Sequence, residues 1–155
     1  MSDSSPKSSD ADKIAYLTSI LTSPLMSSGH QKHLLRTLKA VSVDDDWNIV
    51  LEMEVDDELC NPMGNLHGGA MALIVDVCTS FSGMGRGIGI AVSRNLSVSY
   101  LRPAPSGCKI QIETEVVSIS KRMTLYRCTI RDAETKKIIA IGEHDKAILG
   151  GSHKL

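Results

Sequence analysis

The sequence predicts an α+β domain in which a mainly antiparallel sheet wraps around one long central helix. Three observations carry that expectation. Residues 67–84 form an apolar run whose only formal charge is Asp76, five other stretches alternate like strands, and the links between the later strands are short and polar. A helix apolar on all sides is buried, and strands joined by hairpin-length links pair antiparallel.

Residues 1–12, MSDSSPKSSDAD, lack an apolar core and read as a disordered tail; Asp3, Asp10 and Asp12 do not suit the acid-poor pattern of a mitochondrial leader. From Lys13 onward Ile14, Leu17, Ile20 and Leu21 recur at helical spacing, and Leu34, Leu35 and Leu38 repeat it briefly. Residues 13–47 therefore read as a helical segment ahead of the main fold. Asn48 to Val55 places Ile49, Leu51, Met53 and Val55 on one face, which marks a first strand. After the apolar helix come four more strand-like runs: Ile90 to Leu101, Cys108 to Ile119, Met123 to Arg131 and Lys137 to Ile148. In the second of these, Ile110, Ile112, Thr114 and Val116 oppose Lys109, Gln111, Glu113 and Glu115, so one face is wet and the sheet is antiparallel. Residues 48–149 read as strand, helix and four-strand meander, and residues 150–155 as a tail.

Composition limits the function classes. A chain of 155 residues, 42% apolar, supports one core and one domain. Lys plus Arg (17) nearly equal Asp plus Glu (18), so there is no basic field to hold nucleic acid or an anionic membrane. No apolar run reaches the roughly 20 residues that span a bilayer. Cys60, Cys78, Cys108 and Cys128 are widely spaced without a Cys-x-x-Cys pair, which argues against a zinc site or redox motif. We expect reduced thiols, no metal, no cofactor and a cytoplasmic location. The terminal His153-Lys154-Leu155 differs from the peroxisomal Ser-Lys-Leu signal in its first residue; peroxisome and mitochondrion are the other compartments considered.

One motif carries chemistry. Asn61-Pro-x-Gly-x-x-His67-Gly68-Gly69, Asp76 nine residues after the histidine, and Ser93 followed by Tyr100-x-x-Pro103-Ala104 together resemble the hotdog acyl-CoA thioesterases. The likeness is to the subgroup that holds the phenylacetate-pathway thioesterases and the thioesterase superfamily members, over about residues 48–149. It implies a hotdog fold, a homodimer or dimer of dimers, and hydrolysis of an acyl-CoA. The residues suit such chemistry. Gly68 and Gly69 stand where a helix begins, and an unpaired N–H with the positive end of the dipole stabilises an oxyanion. Gly68 N–H is the expected main donor. Asn61 would contact the thioester or the attacking water, and the resemblance gives His67 a positioning role. Asp76 would act as general base or nucleophile, with Thr79 and Ser80 on its face and Ser93 as an auxiliary hydroxyl for water.

Nine helical residues at about 1.5 Å each separate His67 from Asp76 by roughly 13 Å, too far for both to reach one carbonyl. A complete site therefore needs a second copy with its helix antiparallel to the first.

Each assignment has a plainer rival. Gly68-Gly69 also suits a tight helix start, His67 suits a cap, and Asp76 could simply pair with Arg94, which alternates with Val92, Leu96 and Val98. Arg86, Arg94, Arg102, Lys121 and Arg122 are the candidate cations for the CoA phosphates, with the Lys121-Arg122 turn the most exposed. Met63, Leu66, Met71 and Ile74 are the expected walls of the acyl pocket. Two other functions fit a chain of this kind: an acyl-thioester hydratase or dehydratase, and a non-catalytic acyl-CoA-binding module.

Overall fold

The computed structural model describes residues 9–24 and 29–150. Two short helices, α1 (Asp10–Leu21) and α2 (Lys32–Thr37), precede strands β1 (Lys39–Val43) and β2 (Ile49–Glu54). A single turn of 3-10 helix at Asp57–Leu59 leads to the long helix α3 (Gly68–Gly85). Four strands follow: β3 (Ile90–Tyr100), β4 (Lys109–Ile119), β5 (Met123–Asp132) and β6 (Ile138–Gly150). All six strands join one antiparallel sheet in the order β1-β2-β4-β5-β6-β3. Its inner face and α3 share a core of Ile49, Leu51, Ile74, Val75, Phe81, Ile110, Ile112 and Ile130. This is the sheet wrapped around a central helix that the sequence predicts.

The structure departs from four expectations. Helix α1 begins at Asp10 rather than Lys13, because Ser9 and Asp12 form a reciprocal cap: Asp12 N–H donates to Ser9 Oγ at 3.2 Å and Ser9 N–H to Asp12 Oδ2 at 3.0 Å. The tail therefore gives up residues 10–12, and residues 1–8 lie outside the described residues, as do 151–155. Residues 13–47 are not purely helical, since β1 lies among them and pairs with β2. Leu17, Ile20, Leu21, Leu34 and Leu35 of α1 and α2 join the same core as the sheet.

Strand order differs as well. Only β4, β5 and β6 form a meander; β3 crosses to the far side and pairs with β6, from Ile90 opposite Gly150 to Tyr100 opposite Ala140. Finally, α3 is not buried all round. Met71, Ile74, Val75, Cys78 and Phe81 are buried, while Ala72, Leu73, Asp76 and Ser80 are only half covered. The charge lies on that flank.

Two glycines let α3 sit where it does. A Cβ at Gly142 of β6 would lie 2.7 Å from Val75 Cγ1, so only glycine lets the strand approach the helix this closely. At the other end Gly85 leaves room for the Trp47 ring, which meets Tyr16 edge-on with centroids 5.8 Å apart. The first contact sets how closely α3 approaches β6, and the second seats the C-terminal end of α3 on the Trp47 ring.

Candidate active site

The loop before α3 is built around Asn61. Its Oδ1 accepts from Met63 N–H at 2.9 Å and from Asn65 N–H at 3.3 Å, and its own N–H donates to Asn65 O at 2.7 Å. The side chain thus shapes the loop with its oxygen and keeps Nδ2 for other contacts. His67 caps the helix, its Nδ1 accepting from Gly69 N–H at 2.9 Å. That occupies Gly69 and gives His67 a structural task. Gly68 N–H has no partner among the described residues. Across from it the Tyr100 hydroxyl donates to Gly68 O at 3.0 Å, tying the start of α3 to the end of β3.

Asp76 lies on the half-exposed flank with its side chain 39% exposed. Ser93 Oγ donates to Asp76 Oδ1 at 2.9 Å, and His144 Nε2 stands 3.1 Å from the same oxygen and 2.8 Å from Ser93 Oγ. Oδ2 has no hydrogen-bond partner among the described residues. The rival pairing of Asp76 with Arg94 does not form. Arg94 is the extra residue where the β3 register shifts between Ser93 and Asn95; its guanidinium lies 3.4 Å from Asp145 and reaches the Met123 sulfur. The bulge sends Ser93 toward the helix and Arg94 away from it.

Thr79 and Ser80 do share the Asp76 face, yet neither holds its carboxylate. Thr79 Oγ1 lies 2.7 Å from Val75 O and 2.6 Å from His144 Nδ1, and Ser80 Oγ donates to the Asp76 backbone carbonyl at 2.7 Å. Lys146 Nζ in turn donates to Ser80 Oγ at 2.6 Å.

His144 and Lys146 escape a reading of the sequence, although a signal for them exists. In β6 the buried phase is Ala140, Gly142, His144, Lys146, so two polar residues occupy inward positions. His144 is fully buried. Burial, reinforced by the neighbouring Lys146 charge, pulls its pKa down to about 4 against the opposing pull of Asp76, so the ring is neutral at pH 7. A bare Nε2 lone pair would repel the carboxylate 3.1 Å away. We therefore assign the proton to Nε2, with the single Thr79 hydroxyl proton shared between Val75 O and Nδ1. Burial likewise lowers the Lys146 pKa, while the Asp76 charge raises it.

The remaining candidates stand apart from this cluster. Arg86 Nη1 donates to Asp46 O at 2.8 Å and Arg102 Nη1 to Ile138 O at 2.6 Å, while Lys121 and Arg122 are exposed on the β4–β5 turn. Leu66, Met71 and Ile74 are packed in the core and Met63 is 81% exposed, so this quartet does not wall a pocket within one chain. Burial pushes all four cysteine thiols up, Cys128 to about 12, which removes a thiolate nucleophile from the chemistry available here.

The arrangement offers a mid-helix carboxylate with one free oxygen, oriented by a serine and a neutral histidine, and at the N-terminus of the same helix an N–H unpaired among the described residues. Residues 63–139 match the family model described as the thioesterase superfamily. Human acyl-coenzyme A thioesterase 13 is 31% identical over 105 residues, covering 63% of this chain and 71% of that protein. A Caenorhabditis elegans protein with an esterase name is 34% identical over 107 residues; the match covers 65% of this chain and 60% of that one. Among solved structures, mouse thioesterase superfamily member 2 superposes with a TM-score of 0.78 at 25% identity, covering 87% of this chain and 96% of the other. The Escherichia coli PaaI protein shares the fold at a TM-score of 0.73 and 19% identity, covering 90% of this chain and 98% of that one. With these matches and an antiparallel sheet wrapped around one long helix, the chain belongs to the thioesterase superfamily and has the hotdog fold.

Proposed function

We propose that the protein hydrolyses acyl-CoA thioesters to the free acid and CoA. The observation that carries this reading is the Asp76 carboxylate, held at Oδ1 by Ser93 and His144 with Oδ2 left open. In the proposed step Oδ2 takes a proton from water as the water oxygen attacks the thioester carbonyl. Gly68 N–H, at the positive end of α3, stabilises the developing oxyanion. Collapse breaks the C–S bond, and the proton on Asp76 passes to the departing CoA thiolate. His144 Nε2–H and Ser93 Oγ–H keep the carboxylate fixed in the orientation this requires.

Both halves of the site cannot come from one chain, so we infer that Gly68 and the Asn61 loop act on a thioester attacked from Asp76 of a second copy. The edge strand β3 supports that reading. It runs for 11 residues with none buried, and Ile90 is 73% and Tyr100 53% exposed. A second copy paired along this edge would cover apolar surface and an open hydrogen-bonding edge together. In this reading Lys121 and Arg122 on the exposed turn meet the CoA phosphates. The cytoplasm is the proposed compartment, on the strength of four free thiols.

The experiment is a panel of acyl-CoAs assayed for free thiol. Release from several members supports hydrolysis. A change in double-bond absorbance without thiol would move the protein to the hydratases, and binding without either would make it a carrier or regulatory module.

A further inference from the structure

One turn beyond Asp76 along α3, roughly 5.4 Å further toward the helix C-terminus, a cleft of about 410 Å³ opens beside the cluster. Gly83, Met84, Ile88 and Ile90 make its lining largely apolar, but Ser80, Tyr126 and Lys146 also line it. Lys146 is 8% exposed, and Ser80 is its sole hydrogen-bond partner among the described residues. An ammonium carries three donors, so two are unspent. Opposite Lys146 in the β5–β6 register stands Thr124, 1% exposed, whose hydroxyl approaches the Tyr126 hydroxyl but makes no close hydrogen bond among the described residues. This row of the inner face therefore holds more hydrogen-bonding capacity than the protein itself satisfies, and buried polar groups are ordinarily paired.

We propose that this cleft is the distal acyl subsite and that Lys146 selects straight-chain acyl groups bearing a hydroxyl or keto oxygen toward the far end of the chain. This deepens the thioesterase reading and rests on it. Charge decides for a neutral oxygen over a carboxylate. Lys146 already faces the Asp76 charge, and His144 beside them is neutral. A substrate carboxylate would add a second negative charge next to the catalytic one, whereas a hydroxyl or keto oxygen accepts from the ammonium without upsetting that balance. A plain alkyl chain would fill the apolar walls and leave the ammonium covered but unpaired.

Binding is measured first, with unreactive S-alkyl-CoA thioethers: hexyl, ω-hydroxyhexyl and ω-carboxypentyl, titrated calorimetrically into the full-length protein. The ω-hydroxyhexyl ligand should bind about tenfold more tightly than the hexyl one, and the carboxylate ligand should show no such gain. Lys146→Met should abolish the preference. Equal affinities for hexyl and ω-hydroxyhexyl ligands in the wild type would overturn the proposal without recourse to any variant. A preference that survives in folded Lys146→Met would also overturn it, and tightest binding of the carboxylate would overturn the charge argument. Thiol release from the matching acyl-CoAs is scored separately. Selective binding with no release from any of them would sink the hydrolase reading while the subsite stood.

Discussion

Asp76 Oδ1 accepts from Ser93 while Oδ2 stays open, and this asymmetry sets the behaviour of the variants that probe it. Asp76→Asn keeps an acceptor for Ser93 and His144 but removes the base; turnover should fall by roughly a hundredfold or more with the thermal midpoint held. Near-normal turnover in the folded variant would return Asp76 to a structural role. At Gly68 an added Cβ would lie 3.4 Å from the Tyr100 ring, an ordinary contact, so Gly68→Ala should fold. Its turnover should nonetheless drop on the order of tenfold, because the methyl crowds the carbonyl approaching the N–H. Steady-state kinetics per folded molecule checks this. His144 has a folded pKa of about 4 against an ordinary 6.5. Between those values the unfolded chain binds the extra proton, so stability should be full above the upper one and fall as pH drops toward the lower. Thermal midpoints across that window should slope more steeply in the wild type than in His144→Gln. Asp76, Gly68 and Ser93 are legible in the sequence because they sit in one motif. His144 is not, because its meaning comes from a strand that reaches Asp76 only through the fold.

At the scale of elements, the placement of α3 against β6 is what builds the cluster. Gly142→Ala would press a methyl against Val75, whose Cγ1 lies 2.7 Å from the point a Cβ would occupy, and should cost about 1–3 kcal/mol by forcing the helix off the strand. Because that shift also parts Asp76 from His144, activity per folded molecule should fall with stability; denaturant melts and kinetics on the same preparation test both. The continuous apolar run reveals α3, and periodicity reveals β2 and the extents of β4 and β5 to within a residue or two, since each of these strands pairs an apolar face with a polar one. Periodicity cannot reveal β1, where Val43 alone is buried and a bulge between Ala40 and Ser42 breaks the alternation. Nor can it place β3 beside β6. Spacing shows which face of a strand is buried, but says nothing of its neighbour across the sheet.

For the whole molecule, the claim with most consequence is that two chains complete each site. The roughly 13 Å that separates His67 from Asp76 along α3 and the uncovered β3 edge both call for it, and the edge is a property of the assembled fold rather than of any motif. The measurement mixes two damaged chains. Asp76→Asn removes the base; Asn61→Asp keeps the Oδ1 that accepts from Met63 and Asn65 while replacing the amide nitrogen, so the loop survives and its contact with substrate does not. Each variant alone should be nearly inactive. Unfolded together and refolded in equal amounts, about half the dimers should be mixed, and each mixed dimer holds one site with both lesions and one with none. Activity should return to about a quarter of wild type per chain, provided that the sites work independently. Mixed dimers verified by mass spectrometry that stay as inactive as the separate variants would contradict the shared site and, with it, the mechanism.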